Sequence, residues 1–302
     1  MNTYDVLIVG GGPAGLNAAL VLLRARRRVA VVDAGHPRNA PAANMHGFLS
    51  RDGMPPAELL AAGRTELARY GGTVIDGTVV DLAPGFVATL GDGSTLAARR
   101  VLVTTGLRDS IPDIPGVSER WGRDVLHCPY CHGYEVRDQP LGVLGGGPAA
   151  IAHAVLIRQW SDDVVLFVGD EEPESEHLET LRARNVAIRR GRVRQLVVEE
   201  DTLRGVELEN GEFVARTALF VRPTFTPHDT LLHALGCATD DQGWTAHDGL
   251  GATSVPGVYV AGNVADPRAQ VITSAGQGSA VGIAMNAALV TEDVETALQR
   301  RL

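Results

Sequence analysis

The sequence predicts an α/β fold with two Rossmann-like dinucleotide-binding domains, each a three-layer ββα unit, the second inserted into the first. Three observations carry this expectation: a repeated strand, glycine turn and helix; a β-meander in each half; and a C-terminal segment with no counterpart in the middle of the chain. At 302 residues the chain is long enough for two domains of ordinary size.

The repeat aligns VLIVGGGPAG (6–15) with LGVLGGGPAA (141–150). In each copy a short, β-branched apolar run reads as a strand, and the apolar stretch after the turn (16–23; 151–157) is long enough for a helix. Arg24, Arg26, Arg27 and Arg28 fall where the first helix ends, where cations complement the helix dipole. A second strand ending in an acidic residue follows each helix, at 29–33 and 164–170. The meanders span 86–103 around Gly91-Asp92-Gly93, and 203–221 around Asn210-Gly211. The tail, 257–302, holds an apolar strand at 258–261 and a small-residue helix from about Ser274 to Leu289. It reads as the completion of the first domain. The expected division is 1–111 with 244–302 as one discontinuous domain and 112–243 as the insert, with crossings at 111–115 and 240–243, which are polar and rich in Pro or Gly.

Composition excludes several functions. All 27 basic residues are arginine. Lysine Schiff-base chemistry and a phosphate loop ending in Gly-Lys-Ser/Thr are therefore ruled out. A net charge of −9 argues against a nucleic-acid partner, because phosphate neutralisation needs a basic face. No apolar run approaches the roughly 20 residues a bilayer requires, and the N-terminus does not read as a signal peptide. A cytoplasmic protein without membrane contact is expected. In that reducing compartment a disulfide among three cysteines is expected to be catalytic.

Gly10-x-Gly12-x-x-Gly15 sits between a strand and a helix, with Asp33 eighteen residues beyond the last glycine. This is a complete dinucleotide fingerprint: Gly10 makes the tight turn, Gly12 lets backbone N–H groups approach a pyrophosphate, Gly15 lets helix and strand pack, and Asp33 accepts ribose hydroxyls. The second copy, Gly145-x-Gly147-x-x-Ala150, is permitted because alanine is tolerated at its third position. Arginines for a 2′-phosphate should follow its second strand, yet 169–176 reads GDEEPESE, with five acids and no base. NADPH is expected to be repelled; NADH held through Asp170, and a domain that uses no pyridine nucleotide, both stay open.

Cys128-Pro129-Tyr130-Cys131-His132 reads as a redox disulfide. Zinc needs four ligands around it; Cys237 is more than a hundred residues away, and His127 and His132 are crowded into the same six residues, so no metal is expected. Cys237 reads as a small buried apolar residue. His132, directly after the second cysteine, is placed to take a thiol proton, against the alternative of a histidine fixed only by packing. His127 lacks a comparable positional reason, and Glu135 reads as a solvated charge.

These features together resemble the low-molecular-weight thioredoxin reductase family over essentially the whole chain. Thr104-Thr105-Gly106 corresponds to a flavin-domain turn of that family, and VYVAGN (258–263) to its Gly-Asp segment, with Asn263 in place of the aspartate. Within the family, CPYCHGYE (128–135) is most similar to the dithiol oxidases of the gliotoxin and holomycin type, in which histidine stands where the reductases carry aspartate. The resemblance implies FAD, held by Gly10, Gly12, Pro13, Ala14, Gly15, Asp33, Ala34 and Gly35, by Arg38, Asn39 and His46 after the second strand, and by Thr105 and Gly106. It adds Gly262 and Asn263, with Ala269, Gln270 and Val271 at the flavin ring. It further implies a homodimer, and Cys128, Cys131 and His132 as the catalytic set. The implied reaction forms a disulfide in a small-molecule dithiol and passes the electrons through FAD to O2, giving H2O2. The competing readings are an NAD(P)H-dependent, thioredoxin-type disulfide reductase and a redox-sensing flavoprotein without turnover.

Overall fold

The structure is a computed structural model and describes residues 3–301. The chain opens with β1 (Thr3–Val9), α1 (Pro13–Arg24), β2 (Val29–Asp33), α2 (Pro56–Arg69), β3 (Thr73–Asp76), β4 (Val79–Ala83), β5 (Val87–Leu90) and β6 (Thr95–Val103). It continues through β7 (Leu107–Ser110), α3 (Val117–Arg120), β8 (Val125–Leu126), α4 (Pro129–His132), β9 (Leu141–Leu144), α5 (Pro148–Ile157), β10 (Val164–Gly169), α6 (Ser175–Ala183) and β11 (Ala187–Arg190). The remainder is β12 (Val193–Glu199), β13 (Thr202–Leu208), β14 (Phe213–Ala215), β15 (Ala218–Phe220), β16 (Thr224–Pro227), α7 (Thr230–Ala234), β17 (Val258–Val260) and α8 (Val271–Gln299). Two compact units result: one from the residues up to Ala40, Pro55–Arg108 and those from Phe225 onward, the other from Pro41–Met54 and Asp109–Thr224.

In the first unit β6 is the shared strand. It pairs in parallel with β1 from Ala97 to Val103 and with β17 at its C-terminal end, and its N-terminal end pairs antiparallel with β5, which pairs with β4. β2 and β3 extend the parallel side. Because strand side chains alternate faces, Val6 and Ile8 join the core under α1 and α8 while Leu7 and Val9 join the core under the meander. Leu22 of α1 and Met285 and Leu289 of α8 are fully buried on the helical face, each worth about 1.5–3 kcal/mol. The second unit repeats the plan. Its parallel sheet has the order β11-β10-β9-β15-β8, its meander is β12-β13-β14, and separate cores form under α5 and under the meander.

Several boundaries differ from the sequence expectation: Pro41–Met54 joins the second unit, and the first crossing lies at Arg108–Asp109 rather than at 111–115. The second crossing lies at Thr224–Phe225 rather than at 240–243, and the crossing segments β7 and β16 pair with each other. Leu231, Leu232 and Cys237 are the reason: they are buried in the first unit's meander-side core, so the segment through α7 belongs there. The last helix starts at Val271 and runs on to Gln299, ten residues past the expected end. Its extension is held by charge: Glu292 meets Arg99 at 3.0 Å and Arg100 at 2.6 Å, and Asp293 meets Arg27 at 2.7 Å and Arg99 at 2.6 Å. Among the described residues no helix is long and apolar enough to cross a membrane.

The backbones of α1 and α8 touch. A Cβ on Gly278 would lie 2.0 Å from the Ala14 carbonyl oxygen, and one on Gly282 would lie 3.1 Å from that of Ala18. Gly276, in the same helix, has open space where its Cβ would be. Gly278→Ala is expected to lower the unfolding free energy by about 1–3 kcal/mol through overpacking, while Gly276→Ala raises it by up to about 1 kcal/mol through helix propensity. Equal effects in urea denaturation would refute the close-contact assignment.

Candidate functional site

The first glycine turn is built by steric necessity. Gly10 has φ +108°, and a Cβ there would sit 2.5 Å from the Thr104 carbonyl oxygen; a Cβ on Gly15 would sit 2.0 Å from the Gly10 oxygen. Gly12 is different. Its backbone is extended, it precedes α1 as N-cap, and nothing lies within 4 Å of where its Cβ would be. Pro13 has no N–H to leave unpaired, the first N–H groups of α1 are those of Ala14 and Gly15 beside the open space at Gly12, and no side chain caps the helix. Gly11 donates its N–H to Asp33 Oδ1 at 3.1 Å, and Arg64 fixes the other carboxylate oxygen at 2.5 Å. Ala34 and Gly35 follow as exposed residues, and Asn39 is half-buried.

The remaining candidates in this unit gather around two turns. Thr105 Oγ1 donates to the His228 carbonyl at 2.6 Å, and the Gly106 carbonyl accepts from the His228 N–H at 2.9 Å. Gly262 donates its N–H to Gln277. Asn263 Oδ1 accepts from Arg38 Nη1 at 3.1 Å, and its Nδ2 donates to the carbonyls of Asp266 and Ala269, both at 2.9 Å. An aspartate could not make the last two bonds, which accounts for the amide at this position. Gln270 is the N-cap of α8 and Val271 its first residue. An open glycine, free helix-start amides and the Arg38 guanidinium fit the phosphates of a dinucleotide such as FAD.

In the second unit the equivalent turn is filled. Gly145 keeps the strained φ of +116°, but Glu171 lies over the loop: Gly146 N–H approaches its Oε1 at 3.4 Å, and its Oε2 is 3.3 Å from where a Gly147 Cβ would be. Glu171, rather than Asp170, thus stands where Asp33 stands in the first copy. Asp170 instead pairs with Arg192, and Glu172 with Arg190 at 2.6 Å. The run that reads as purely acidic along the chain meets two arginines across the fold.

Cys128 and Cys131 form a disulfide with Cα atoms 5.2 Å apart. Cys128 is the N-cap of α4, both cysteines are half-buried, and the N–H groups of Cys131 and His132 converge on the Cys128 carbonyl at 3.1 Å. Exposed Tyr130 stands edge-on to Trp160, ring centroids 5.5 Å apart. Burial holds the His132 imidazole below its ordinary range, against the opposing field of Glu135. At neutral pH it is an uncharged acceptor.

His46 was expected on the flavin side. The segment 41–54 belongs to the cysteine-bearing unit, where it closes on itself through Met45 and Met54 backbone bonds and buries Met45. His46 there faces Glu135 and Asp52. Behind Cys128, His127 Nδ1 lies 3.1 Å from the Val221 carbonyl oxygen, and its ring is 6.0 Å from that of His153. His153 is 5% exposed, and no partner reaches its Nδ1. Burial, followed by the fields of His127 and Arg222, pushes it down to about 4. The sequence held no signal for His153 or Arg64, since both depend on packing. Among the described residues no group of three or more His, Cys, Asp or Glu side chains is arranged to hold a metal ion.

A paired dinucleotide fold with an open glycine turn in one unit and a Cys-x-x-Cys disulfide in the other defines a flavin-dependent disulfide oxidoreductase. The model of the pyridine nucleotide-disulphide oxidoreductase family matches residues 4–279, and the chain belongs to that family, in its thioredoxin reductase-like, FAD-binding branch. It is 30% identical to thioredoxin reductase sirT of Leptosphaeria maculans over 94% of this chain and 93% of that one. It is 32% identical to thioredoxin reductase aclD of Aspergillus oryzae over 93% and 95%. The crystal structure of HlmI superposes with a TM-score of 0.96 at 56% identity, covering 98% of this chain and 95% of the other.

Two outcomes are expected. Gly12→Val should leave the apo fold intact, because its side chain enters open space, yet weaken FAD binding at least about tenfold by obstructing the phosphates; flavin retention after gel filtration, set beside the apoprotein Tm, checks this. For His153, the native ring stays neutral down to about pH 4 while the unfolded one takes up a proton near its ordinary 6.5. The unfolded state then holds the extra proton between those values, so stability falls as pH falls, by about 3 kcal/mol over that span. In urea unfolding at pH 7.5 and 4, His153→Gln should lose less stability than wild type by about that amount.

Proposed function

We propose that this chain is an FAD-dependent dithiol oxidase: it forms a disulfide in a small-molecule dithiol through Cys128–Cys131 and delivers the electrons to O2. The observation that carries this reading is the second glycine turn. Whereas the space at Gly12 is empty, Glu171 Oε2 lies 3.3 Å from where a Gly147 Cβ would be, and Arg190 and Arg192 are already paired with acids. A nicotinamide dinucleotide would have to displace a charge of its own sign, so electrons enter through the disulfide instead.

The substrate thiolate attacks Cys128, the substrate's second thiol releases the mixed disulfide as product, and the protein is left as a dithiol. His132, neutral at pH 7, accepts the thiol protons as the thiolates form. FAD would be held at the first glycine turn by the residues from Gly10 to Gly15, Asp33, Arg38 and the turn at Gly262–Asn263, and would supply there the two-electron transfer between the dithiol and oxygen. The net change is dithiol plus O2 to disulfide plus H2O2. Ile283, Val290, Val294 and Leu298 expose apolar surface along one face of α8, and this supports assembly as a homodimer.

The second reading is a thioredoxin-type reductase driven by NADH or NADPH, favoured by the retained strained turn at Gly145. Anaerobic mixing with NADPH, NADH and dithiothreitol in separate syringes separates the two. The dithiol should bleach the flavin rapidly, and air should restore its colour with one equivalent of peroxide. Rapid bleaching by either nicotinamide would overturn the oxidase reading. Cys131→Ser should keep FAD bound but abolish bleaching by the dithiol, whereas Cys237→Ser, altering a buried residue outside the disulfide, should leave the rate unchanged.

A further inference from the structure

The acid that completes the first dinucleotide fingerprint is itself clamped, by a residue of α2. That helix is anchored on the helical face of its unit: a Cβ on Gly63 would lie 3.0 Å from Leu16 Cδ1, and Leu67 is fully buried in the same core as Leu16. Arg64 is thereby brought to the ends of β2 and β3, where Asp33 and Asp76 stand opposite each other in the parallel pairing. Its guanidinium bridges them: Nη2 donates to Asp33 Oδ2 at 2.5 Å and Nη1 to Asp76 Oδ1 at 2.8 Å. Side by side the two carboxylates repel, and Asp33 is the more enclosed, 16% exposed against 82% for Asp76. With the Gly11 N–H on Oδ1, both Asp33 oxygens are held, and nothing lies within 4 Å of where a Gly12 Cβ would be. The second unit offers the contrast. Glu171, a methylene longer, meets the Gly146 N–H as Asp33 meets that of Gly11, but among the described residues no arginine side chain pairs with it. Its Oε2 reaches to 3.3 Å from where a Gly147 Cβ would be.

We propose that Arg64 is a positioning residue for Asp33: it holds the carboxylate beside Gly11 and aside from Gly12, so that the turn stays open to the FAD pyrophosphate while Asp33 meets the ribose. Each carboxylate oxygen has two lone pairs, so the bonds from Gly11 and Arg64 leave capacity on both oxygens for the ribose hydroxyls. The guanidinium also offsets the charge that Asp33 and Asp76 together set near an incoming pyrophosphate. This role concerns how FAD is held and is independent of which donor reduces it, so it stands whether or not the dithiol oxidase reading does.

The test titrates the full-length protein, freed of its flavin, with FAD, and reads the bound fraction from flavin fluorescence. Arg64→Met and Arg64→Gln should each weaken FAD about tenfold, and Arg64→Lys, which keeps the cation, should regain most of the affinity. Arg69→Met removes the same charge from the end of the same helix and should leave the affinity at the wild-type value. In an Asp33→Asn background, where no carboxylate is left to position, Arg64→Met should weaken FAD by less than about threefold further. An arginine that merely supports the fold would cost the same in both backgrounds. Unchanged affinity in both Arg64→Met and Arg64→Gln, an equal loss in Arg69→Met, no recovery in Arg64→Lys, or a full tenfold loss in the Asp33→Asn background would each overturn the proposal. Should Asp33→Asn bind no FAD, the comparison of Arg64→Lys and Arg69→Met with Arg64→Met decides.

Discussion

Direct backbone contact at the first glycine turn sets the geometry of its unit. Gly15 lies so close to the Gly10 carbonyl that any Cβ would overlap it, and Gly10 is equally close to Thr104. Only glycine permits this, so β1 delivers the chain into α1 within three residues, with the helix-start amides pointing to open space. The same economy of side chains recurs where Gly278 and Gly282 of α8 lie on Ala14 and Ala18 of α1. That contact brings the Asn263 turn and the start of α8 into the same unit as the glycine turn. A dinucleotide site thus follows from where side chains are missing.

The two units are copies of one plan that differ in what occupies the turn. Above Gly12 there is space; beside Gly147 there is the Glu171 carboxylate. A carboxylate at the start of α5 is itself favoured by the helix dipole, by about 0.3–1 kcal/mol. That carboxylate takes the Gly146 N–H much as Asp33 takes the Gly11 N–H in the first unit. The positive φ of Gly145 is kept all the same, since the backbone path between β9 and α5 needs it.

Much of the fold was legible. The glycine turns, the strands of period two and the meander turns are local features, and each element they indicated is present. The division between units was less so, because 225–243 contains a polar, Gly-bearing stretch that looks like a linker, whereas Leu231, Leu232 and Cys237 are drawn into the first unit's core. Helix α8 outran its apolar pattern because Arg99 and Arg100 of β6, and Arg27 in the connection after α1, hold its acidic continuation from far away in sequence. In the site, the cysteine pair was readable from its spacing. His46 groups with the cysteine-bearing unit, and nothing in its neighbours along the chain reveals that 41–54 belongs there.

The sequence by itself determined the backbone chemistry: which positions must be glycine, which two sulfurs can join, and which repeat folds twice. These are decided by φ angles and by spacings of a few residues. Tertiary structure decided which charges meet. Arg190 and Arg192 reach the acidic run from β11 and the turn after it, Glu171 rather than Asp170 meets the Gly146 N–H, and Glu135, which reads as a solvated charge, lies 3.5 Å from His46 Nε2. Such pairings depend on which strands lie side by side and how far a side chain reaches, and no local pattern encodes either.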